Sequence, residues 1–189
     1  AENNESDPDI DGYELKVGRE NTSSLQTLFN KEGEWQMKQI DFLMNHGFPH
    51  TEKMGEMSGQ STIRKKPNKQ GYYFTTDTYY LSVMVKDIII VRWEWESLVS
   101  NFNNKFPNCL KVIAKMKKEN NIEYFHFYKC YLCKGTNKYR FQELLERDLI
   151  SIDFRLYTQF NQNKGIRNRG TAFRIKQNDM DHLFDMEEI

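Results

Sequence analysis

The stretch Asp9-Ile10-Asp11-Gly12-Tyr13-Glu14-Leu15-Lys16 places acids and a lysine in one short segment. Side chains of a strand alternate between its faces, so Glu14 and Lys16 point the same way, and Asp9 approaches from the preceding turn. Two carboxylates and the Leu15 carbonyl can hold Mg²⁺, a hard cation that prefers oxygen ligands. A lysine beside them can orient or deprotonate a water and stabilise charge on a phosphate. The pattern is typical of a metal-dependent nuclease, with Asp9, Glu14 and Lys16 as catalytic residues.

An ordinary solvent-exposed strand edge could carry the same residues. The choice between this alternative and a nuclease motif depends on the rest of the sequence. Its 189 residues fit one domain, or one domain with two lobes, with a sizeable core. The content of 14% aromatic and 29% charged residues is typical of an ordered globular protein. The sequence has no long apolar run and no signal-peptide pattern, so we expect neither membrane insertion nor secretion, and a cytoplasmic location.

The three cysteines, Cys109, Cys130 and Cys133, are an odd number and make a poor disulfide framework, which agrees with a reducing compartment. Cys130 and Cys133 have the spacing of zinc ligands, and His126 lies four residues before the pair. A closed structural zinc site needs four ligands, and no second Cys/His pair is present. Ordinary core or surface cysteines are the alternative to zinc ligands.

The net charge is zero, but the charges are segregated along the chain. The first fourteen residues carry only acids, namely Glu2, Glu5, Asp7, Asp9, Asp11 and Glu14. Residues 154–178 carry only cations, namely Arg155, Lys164, Arg167, Arg169, Arg174 and Lys176. Because phosphate binding needs local positive potential, an acidic metal-binding end and a basic DNA-binding end are compatible with overall neutrality.

The order of predicted elements indicates an α/β or α+β fold with a mixed β-sheet flanked by helices. Apolar spacing predicts a helix over residues 35–46, and β-branched and aromatic runs predict strands near 72–76, 79–86 and 88–93. Lys86-Asp87 predicts a tight hairpin between the last two strands. Residues 51–70 are polar and glycine-containing, so we expect a loop.

Two clusters have the composition of a DNA-binding surface. Arginine pairs with guanine edges, aspartate accepts from the cytosine amino group, and asparagine pairs with adenine. The candidate base-reading residues are Asp153, Arg155, Arg167, Asn168, Arg169 and Arg174. The candidate phosphate contacts are Arg64, Lys65, Lys66, Lys69 and Lys164. The alternatives are an exposed strand pair with salt bridges for the first cluster and a solvated loop for the second.

The chain resembles the MvaI/BcnI family of type II restriction endonucleases and, more distantly, the mismatch-repair nickase MutH, all with the PD-(D/E)xK nuclease fold. The resemblance is carried by residues 8–16, 25–29, 95–98, 153–155 and 169–175. Order and spacing match from about Pro8 onward. The string Gly170-Thr171-Ala172-Phe173-Arg174-Ile175 is its most specific part.

The resemblance implies a single nuclease domain over residues 1–189, with two lobes around a DNA cleft. Residues 1–106 would form the catalytic lobe and residues 107–189 the DNA-recognition lobe. It implies Mg²⁺-dependent hydrolysis of phosphodiester bonds at a short specific site in double-stranded DNA by a monomer. Asp9 and Glu14 would be metal ligands and Lys16 the catalytic lysine. We expect Mn²⁺ to substitute for Mg²⁺, and Ca²⁺ to support binding without cleavage.

One departure from the family concerns the start of the chain. Family members have a helical segment before the catalytic aspartate, whereas this chain begins eight residues before Asp9. We therefore expect a fragment of a longer nuclease, or a helix that was lost or is supplied by a partner. Two other functions remain open: a sequence-specific DNA-binding module without nuclease activity, and a protein-interaction scaffold built on the aromatic-rich strands 72–95.

Overall fold

A computed structural model describes residues 8–9, 11–20 and 22–189. The acids Glu2, Glu5 and Asp7 of the acidic segment lie outside this part of the chain. Within it, no helix is long and apolar enough to cross a membrane. The helices are α1 Gln39–His46, α2 Trp95–Lys105, α3 Lys138–Glu146 and α4 Met180–Leu183. The strands are β1 Tyr13–Arg19, β2 Leu25–Asn30, β3 Glu34–Trp35, β4 Phe48–Pro49, β5 Met57–Ser58, β6 Ser61–Ile63, β7 Tyr72–Thr76, β8 Tyr80–Val85, β9 Ile88–Glu94, β10 Asn108–Glu119, β11 Ile122–Lys134, β12 Ile150–Phe154, β13 Leu156–Thr158, β14 Ile166–Asn168, β15 Ala172–Lys176 and β16 Asp185–Glu188.

The chain divides into two compact units made of interleaved segments. Unit 1 comprises Ala1–Phe29, Val99–Leu149 and Ile175–Ile189, and unit 2 comprises Asn30–Leu98 and Ile150–Arg174. The predicted boundary near residue 106, between a catalytic lobe and a DNA-recognition lobe, therefore does not coincide with the boundaries of these units. Which function each part of the chain carries stays a prediction.

Unit 1 is built on a four-stranded sheet in the order β1-β10-β11-β16. β1 pairs with β10 in parallel, so that Glu14 lies opposite Cys109 and Lys16 lies opposite Lys111. The remaining neighbours are antiparallel. Because β1 is an edge strand, one side of its backbone is free of strand pairing.

The helices of unit 1 form its core. Phe102 of α2 stacks on Phe141 of α3 with ring centroids 4.7 Å apart, and Phe29 lies 5.9 Å from Phe102. All three side chains are buried. These aromatic contacts fix the direction of α2, and its last residue, Lys105, belongs to the candidate site described below.

Unit 2 contains three sets of paired strands: β3-β9-β8-β7, β14-β13-β5-β4, and the run β15-β12-β6. Phe42 of α1 is its central aromatic residue. The Phe42 ring lies 5.5 Å from Trp35, 5.6 Å from Tyr72 and 5.8 Å from Phe154, measured between centroids. Apolar residues from α1 and from both neighbouring sheets therefore share one core.

Two local predictions for unit 2 are wrong and one is confirmed. The helix predicted over residues 35–46 begins only at Gln39, because Trp35 pairs with Val91 in a strand ladder. The loop predicted over residues 51–70 contains β5 and β6, since β13 and β12, which are distant in sequence, pair with them. The predicted hairpin at Lys86-Asp87 is confirmed, because both residues have positive φ, 47° and 64°, as a tight two-residue turn requires.

Candidate functional site

Glu14 and Lys16 meet on one face of β1, as the two-residue period predicts. Lys16 Nζ lies 2.5 Å from Glu14 Oε1, and only 12% of the Lys16 side chain and 3% of the Glu14 side chain are exposed. The turn before the strand uses Asp11 and Gly12, with φ of 43° and 82°. Glycine and aspartate tolerate this left-handed region, so the turn can lead into β1 without steric conflict.

A second lysine, Lys105, reaches the same carboxylate from α2. Lys105 Nζ lies 2.9 Å from Glu14 Oε2, with 10% of the lysine side chain exposed. Leu98, Phe102 and Lys105 recur at the helical spacing of four and three residues, and all are buried. Apolar residues at this spacing predict a buried helix face, so the one lysine on it was a signal that the sequence analysis missed.

Asp9 approaches the free edge of β1. Asp9 Oδ2 accepts a hydrogen bond of 2.9 Å from the Leu15 backbone N–H. The N–H and C=O of one strand residue point to the same side of the strand, so the Leu15 carbonyl also faces this edge. Of the predicted ligand atoms, the Asp9 carboxylate and the Leu15 carbonyl therefore share the open edge of the sheet.

The donor set at β1 fits a magnesium ion. The buried Glu14 Oε2 lies within ion-pair distance of Lys105, yet this contact does not meet hydrogen-bond geometry, and the oxygen has no hydrogen bond. Mg²⁺ needs only one or two carboxylates and keeps waters at its other positions. No cluster of three or more His, Cys, Asp or Glu side chains suited to a metal occurs in the part of the chain that is described. The candidate oxygen donors at β1 are Asp9, Glu14 and the Leu15 carbonyl, which are of the type that Mg²⁺ prefers.

The cysteines lie in the strands beside this site. Cys109 pairs in register with Cys133, and the thiols are free. A hydrogen bond with Cys133 and then burial raise the pKa of Cys109, so Cys109 is a neutral thiol. Cys130 and Cys133 lie in β11, where residues three apart face opposite sides of the sheet. Their zinc-like spacing therefore does not bring the two thiols together.

In unit 2, Arg167 and Arg169 are the exposed arginines of the predicted base-reading set. Arg167 lies opposite Tyr157 in the β13–β14 ladder, and Lys53 Nζ sits 3.8 Å from the centroid of the Tyr157 ring. A hydrogen bond with Lys53 lowers the pKa of Tyr157 against the effect of burial, and Arg167 and Arg169 lower it further. These residues form a positive patch, which attracts anionic ligands.

Arg155 and Asn168 shape the turn that carries Arg169. Arg155 donates hydrogen bonds to the carbonyls of Gly170 and Arg169, at 3.0 and 2.9 Å, and to Asn30 Oδ1. Asn168 Oδ1 accepts from the Gly170 N–H at 2.8 Å. Arg155 and Asn168 were predicted to contact bases, but the hydrogen-bonding groups named here are used by contacts inside the protein.

Asp153 and Arg174 form an ion pair between the neighbouring strands β12 and β15. Arg174 donates to Asp153 Oδ2 at 2.6 Å, and 10% of the aspartate side chain is exposed against 31% of the arginine. The salt bridge of the alternative interpretation is thus present, but β12, which carries Asp153, is buried and not exposed. The larger exposure of Arg174 leaves it the more accessible member of the pair.

The candidate phosphate contacts lie in two loops of unit 2. Lys65, Lys66 and Lys69 are exposed and flank Asn68, whose side chain accepts from the Tyr72 N–H at 3.0 Å. Lys164 is exposed in the loop that follows β13. Arg64, at the end of β6, is half-buried. The Tyr72 N–H donates to Asn68 in the first loop, and the Lys164 N–H donates to the Gln159 carbonyl in the second. These hydrogen bonds restrain the backbone of the loops that carry the cations.

Two acids that were not predicted from the sequence accept hydrogen bonds from the segments near the candidate DNA-binding residues of unit 2. Buried Glu56 accepts hydrogen bonds from the Phe160 and Asn161 N–H groups, at 2.9 and 2.8 Å. Glu32 accepts from Asn168 Nδ2 and from the Thr171 N–H, both at 3.2 Å. Neither contact has a sequence signal, because each joins residues more than one hundred positions apart.

Comparisons with known proteins agree with this geometry. The family model described as the MvaI/BcnI restriction endonuclease family matches residues 1–184. The solved complex of restriction endonuclease MvaI with cognate DNA shares 22% identity and a TM-score of 0.78, over 100% of this chain and 82% of that one. The structure of MvaI without DNA gives 23% identity and a TM-score of 0.64, over 96% and 80%. A search of curated proteins gave no match. The predicted family and the mixed, restriction-endonuclease-like α+β fold are confirmed.

Proposed function

The chain belongs to the MvaI/BcnI restriction endonuclease family and is thus a type II site-specific deoxyribonuclease, and we propose that it cuts duplex DNA with Mg²⁺ at the site on β1. The observation that supports this proposal is the buried contact of Lys16 with Glu14 on β1, the strand whose free edge Asp9 contacts through the Leu15 N–H. Mn²⁺ would replace Mg²⁺, and Ca²⁺ would support binding without cleavage. The partner is double-stranded DNA, bound by one copy of the chain.

In this proposal each residue of the β1 site has a distinct role. Asp9, Glu14 and the Leu15 carbonyl would hold Mg²⁺, which when bound supplies a Lewis acid for the phosphate and lowers the pKa of a coordinated water. Lys16 orients or deprotonates the attacking water and stabilises negative charge on the phosphate. The contact with Glu14 restricts the Lys16 side chain, so less rotamer freedom is lost when DNA binds.

The sequence preference would come from unit 2. We assign base-edge contacts to Arg167, Arg169 and Arg174, whose guanidinium groups can pair with guanine in two hydrogen bonds. Asp153, Arg155 and Asn168 complete the predicted reading set, and their internal hydrogen bonds set the position of the strands and the turn. Phosphate contacts from Arg64, Lys65, Lys66, Lys69 and Lys164 would add affinity without sequence preference.

The test is to incubate the protein with duplex DNA of random sequence and Mg²⁺, and to sequence the ends of the products. We expect discrete ends that report one short site and the position of the cut. Asp9→Ala and Lys16→Ala should abolish cleavage. Asp11→Asn is the matched control, because Asp11 is an exposed acid in the same turn with no proposed role. Random ends, or cleavage that survives both alanine substitutions, would refute the proposal.

A DNA-binding module without nuclease activity is the second candidate, and the closed arrangement of Glu14 between two lysines favours it. A gel shift in Ca²⁺, beside cleavage assays in Mg²⁺ and Mn²⁺, separates the two functions. Specific binding without cleavage would support the module. Absence of salt-dependent DNA binding would instead favour a protein-interaction scaffold.

A further inference from the structure

Two exposed apolar side chains lie on neighbouring turns of unit 2. Met54 is 94% exposed, the highest value among the large apolar residues in the described part of the chain, and Phe160 is 43% exposed. Asn161 Nδ2 donates to the Met54 carbonyl at 2.9 Å and so joins the two turns. We call residues 53–56 and 160–163 together the apolar knob. Single exposed apolar residues are common, but two on joined turns form a candidate contact surface.

Hydrogen bonds hold the backbone of the apolar knob in place. The Glu56 N–H donates to the Lys53 carbonyl at 3.1 Å, and Gly55 has a φ of 82°, so Met54 occupies the second position of a type II turn. The buried Glu56 carboxylate accepts from two backbone N–H groups of the second turn, at 2.9 and 2.8 Å. Met54 therefore projects from an ordered backbone, and less conformational freedom is lost when a partner binds it.

The surroundings of the apolar knob are rich in cations. Residues 50–56 and 157–167 contain three of them, namely Lys53, Lys164 and Arg167. The acids of these ranges are Glu52, which is exposed, and Glu56, which the hydrogen bonds inside the knob occupy. Lys53 Nζ lies 3.8 Å from the centroid of the Tyr157 ring, and Tyr157 pairs with Arg167 in the β13–β14 ladder. Apolar side chains among cations suit duplex DNA, which has phosphates outside and apolar base faces inside.

We propose that the apolar knob enters a groove of the bound DNA and that Met54 inserts between adjacent base pairs. This inference rests on the proposed function, because it concerns the DNA that the protein binds and cuts. Methionine is one of the apolar side chains that proteins insert between base steps, and the wider contact that the distorted DNA makes with the protein offsets the cost of unstacking. Lys53 and Lys164 would contact the phosphates beside the knob. Because pyrimidine–purine steps unstack most easily, the knob favours such a step at the position that it contacts.

The experiment uses 2-aminopurine, a fluorescent adenine analogue that is quenched when stacked and brightens when unstacked. The analogue is placed in turn at positions of the cleavage site and its flanks, and the protein is added in Ca²⁺ so that the DNA stays uncut. We expect fluorescence to rise roughly twofold or more at one step on binding, because Met54 separates its base pairs. In Met54→Ala the rise should disappear, and the dissociation constant should increase about fivefold because apolar contact area is lost. Met54→Leu keeps a large apolar side chain and should retain the rise and the affinity.

Met44→Ala is the matched control. Met44 lies in α1 of the same unit and is 54% exposed, and its removal should change neither the fluorescence nor the dissociation constant. Since both methionines are exposed, both alanine variants should melt at the temperature of the original protein. Met54→Ala should also leave the salt dependence of binding unchanged, whereas Lys53→Gln should reduce it, because only the lysine neutralises a phosphate.

Two results would overturn the inference and leave the proposed function intact. In the first, the protein binds its site but 2-aminopurine stays quenched at every position. In the second, Met54→Ala binds DNA like the original protein and instead loses self-association in sedimentation, which would assign the knob to a contact between copies of the chain. Absence of specific DNA binding by the original protein would refute the proposed function, and the inference would fail with it.

Discussion

Gly18 lies on β1 two residues after Lys16, and its replacement by alanine should destabilise the strand that carries the candidate site. A Cβ at position 18 would lie 2.0 Å from Gln177 Oε1 and 2.6 Å from Gln177 Nε2. Both distances are far below van der Waals contact, so the Gln177 side chain must move. Gln177 is buried, and its Nε2 donates to the Arg19 carbonyl at 3.0 Å. The clash therefore removes a hydrogen bond at the end of β1.

The expected cost follows from these contacts. Gln177 meets the new methyl with the end of a flexible side chain, which can rotate away instead of distorting the backbone. The lost hydrogen bond contributes about 1 kcal/mol. Local overpacking adds about 1 kcal/mol, at the low end of its usual range. We expect Gly18→Ala to lower the free energy of unfolding by about 2 kcal/mol.

Urea unfolding of a double-mutant cycle measures this effect. Gln177→Ala removes the obstructing side chain, so the double variant with Gly18→Ala should be more stable than the two separate costs predict. The coupling should exceed about 0.5 kcal/mol, as expected for residues in contact. Val17→Ala is the control on the same strand, since Val17 is 49% exposed and its truncation should change stability by less than about 0.5 kcal/mol. Additive costs, or a Gly18→Ala protein as stable as the original, would refute the reasoning.

Three further predictions concern unit 2. Burial raises the pKa of Glu56, but hydrogen bonds from Thr158, Asn161 and Phe160 outweigh it, and the pKa lies below 4.5. Ionised Glu56 therefore stabilises the fold above its ordinary pKa, and this contribution is lost as the pH falls through the lowered value. Glu56→Gln should lower the urea midpoint at pH 7 and have less effect near pH 3; a constant difference would contradict this. Arg169→Ala should cost about 1–3 kcal/mol of discrimination at one base pair, measured by cleavage of single-substitution sites. Lys66→Ala should instead weaken binding to all sequences equally and reduce its salt dependence, and identical profiles for these two variants would show that the assignment is wrong.

Local sequence patterns predicted the elements whose geometry depends on near neighbours. Glu14 and Lys16 share a face because they are two residues apart in a strand, and any extended conformation places them so. Lys86-Asp87 forms its turn because both residues adopt positive φ between strands adjacent in sequence. The helix predicted from residue 35 failed where Trp35 joined a ladder with residues near 91, since tertiary pairing can override helical spacing.

The sequence by itself determined the family, the mixed fold and the pair Glu14–Lys16, because motif order and the two-residue strand period are properties of the chain alone. Only the tertiary structure decided that Lys105 reaches Glu14 across ninety-one positions and that Glu56 holds the loop at residues 160–161. Such contacts depend on which elements pack together, and no local pattern encodes a partner that distant. The motif of β1 can thus be recognised from the sequence, whereas the position of Lys105 beside it depends on the tertiary fold.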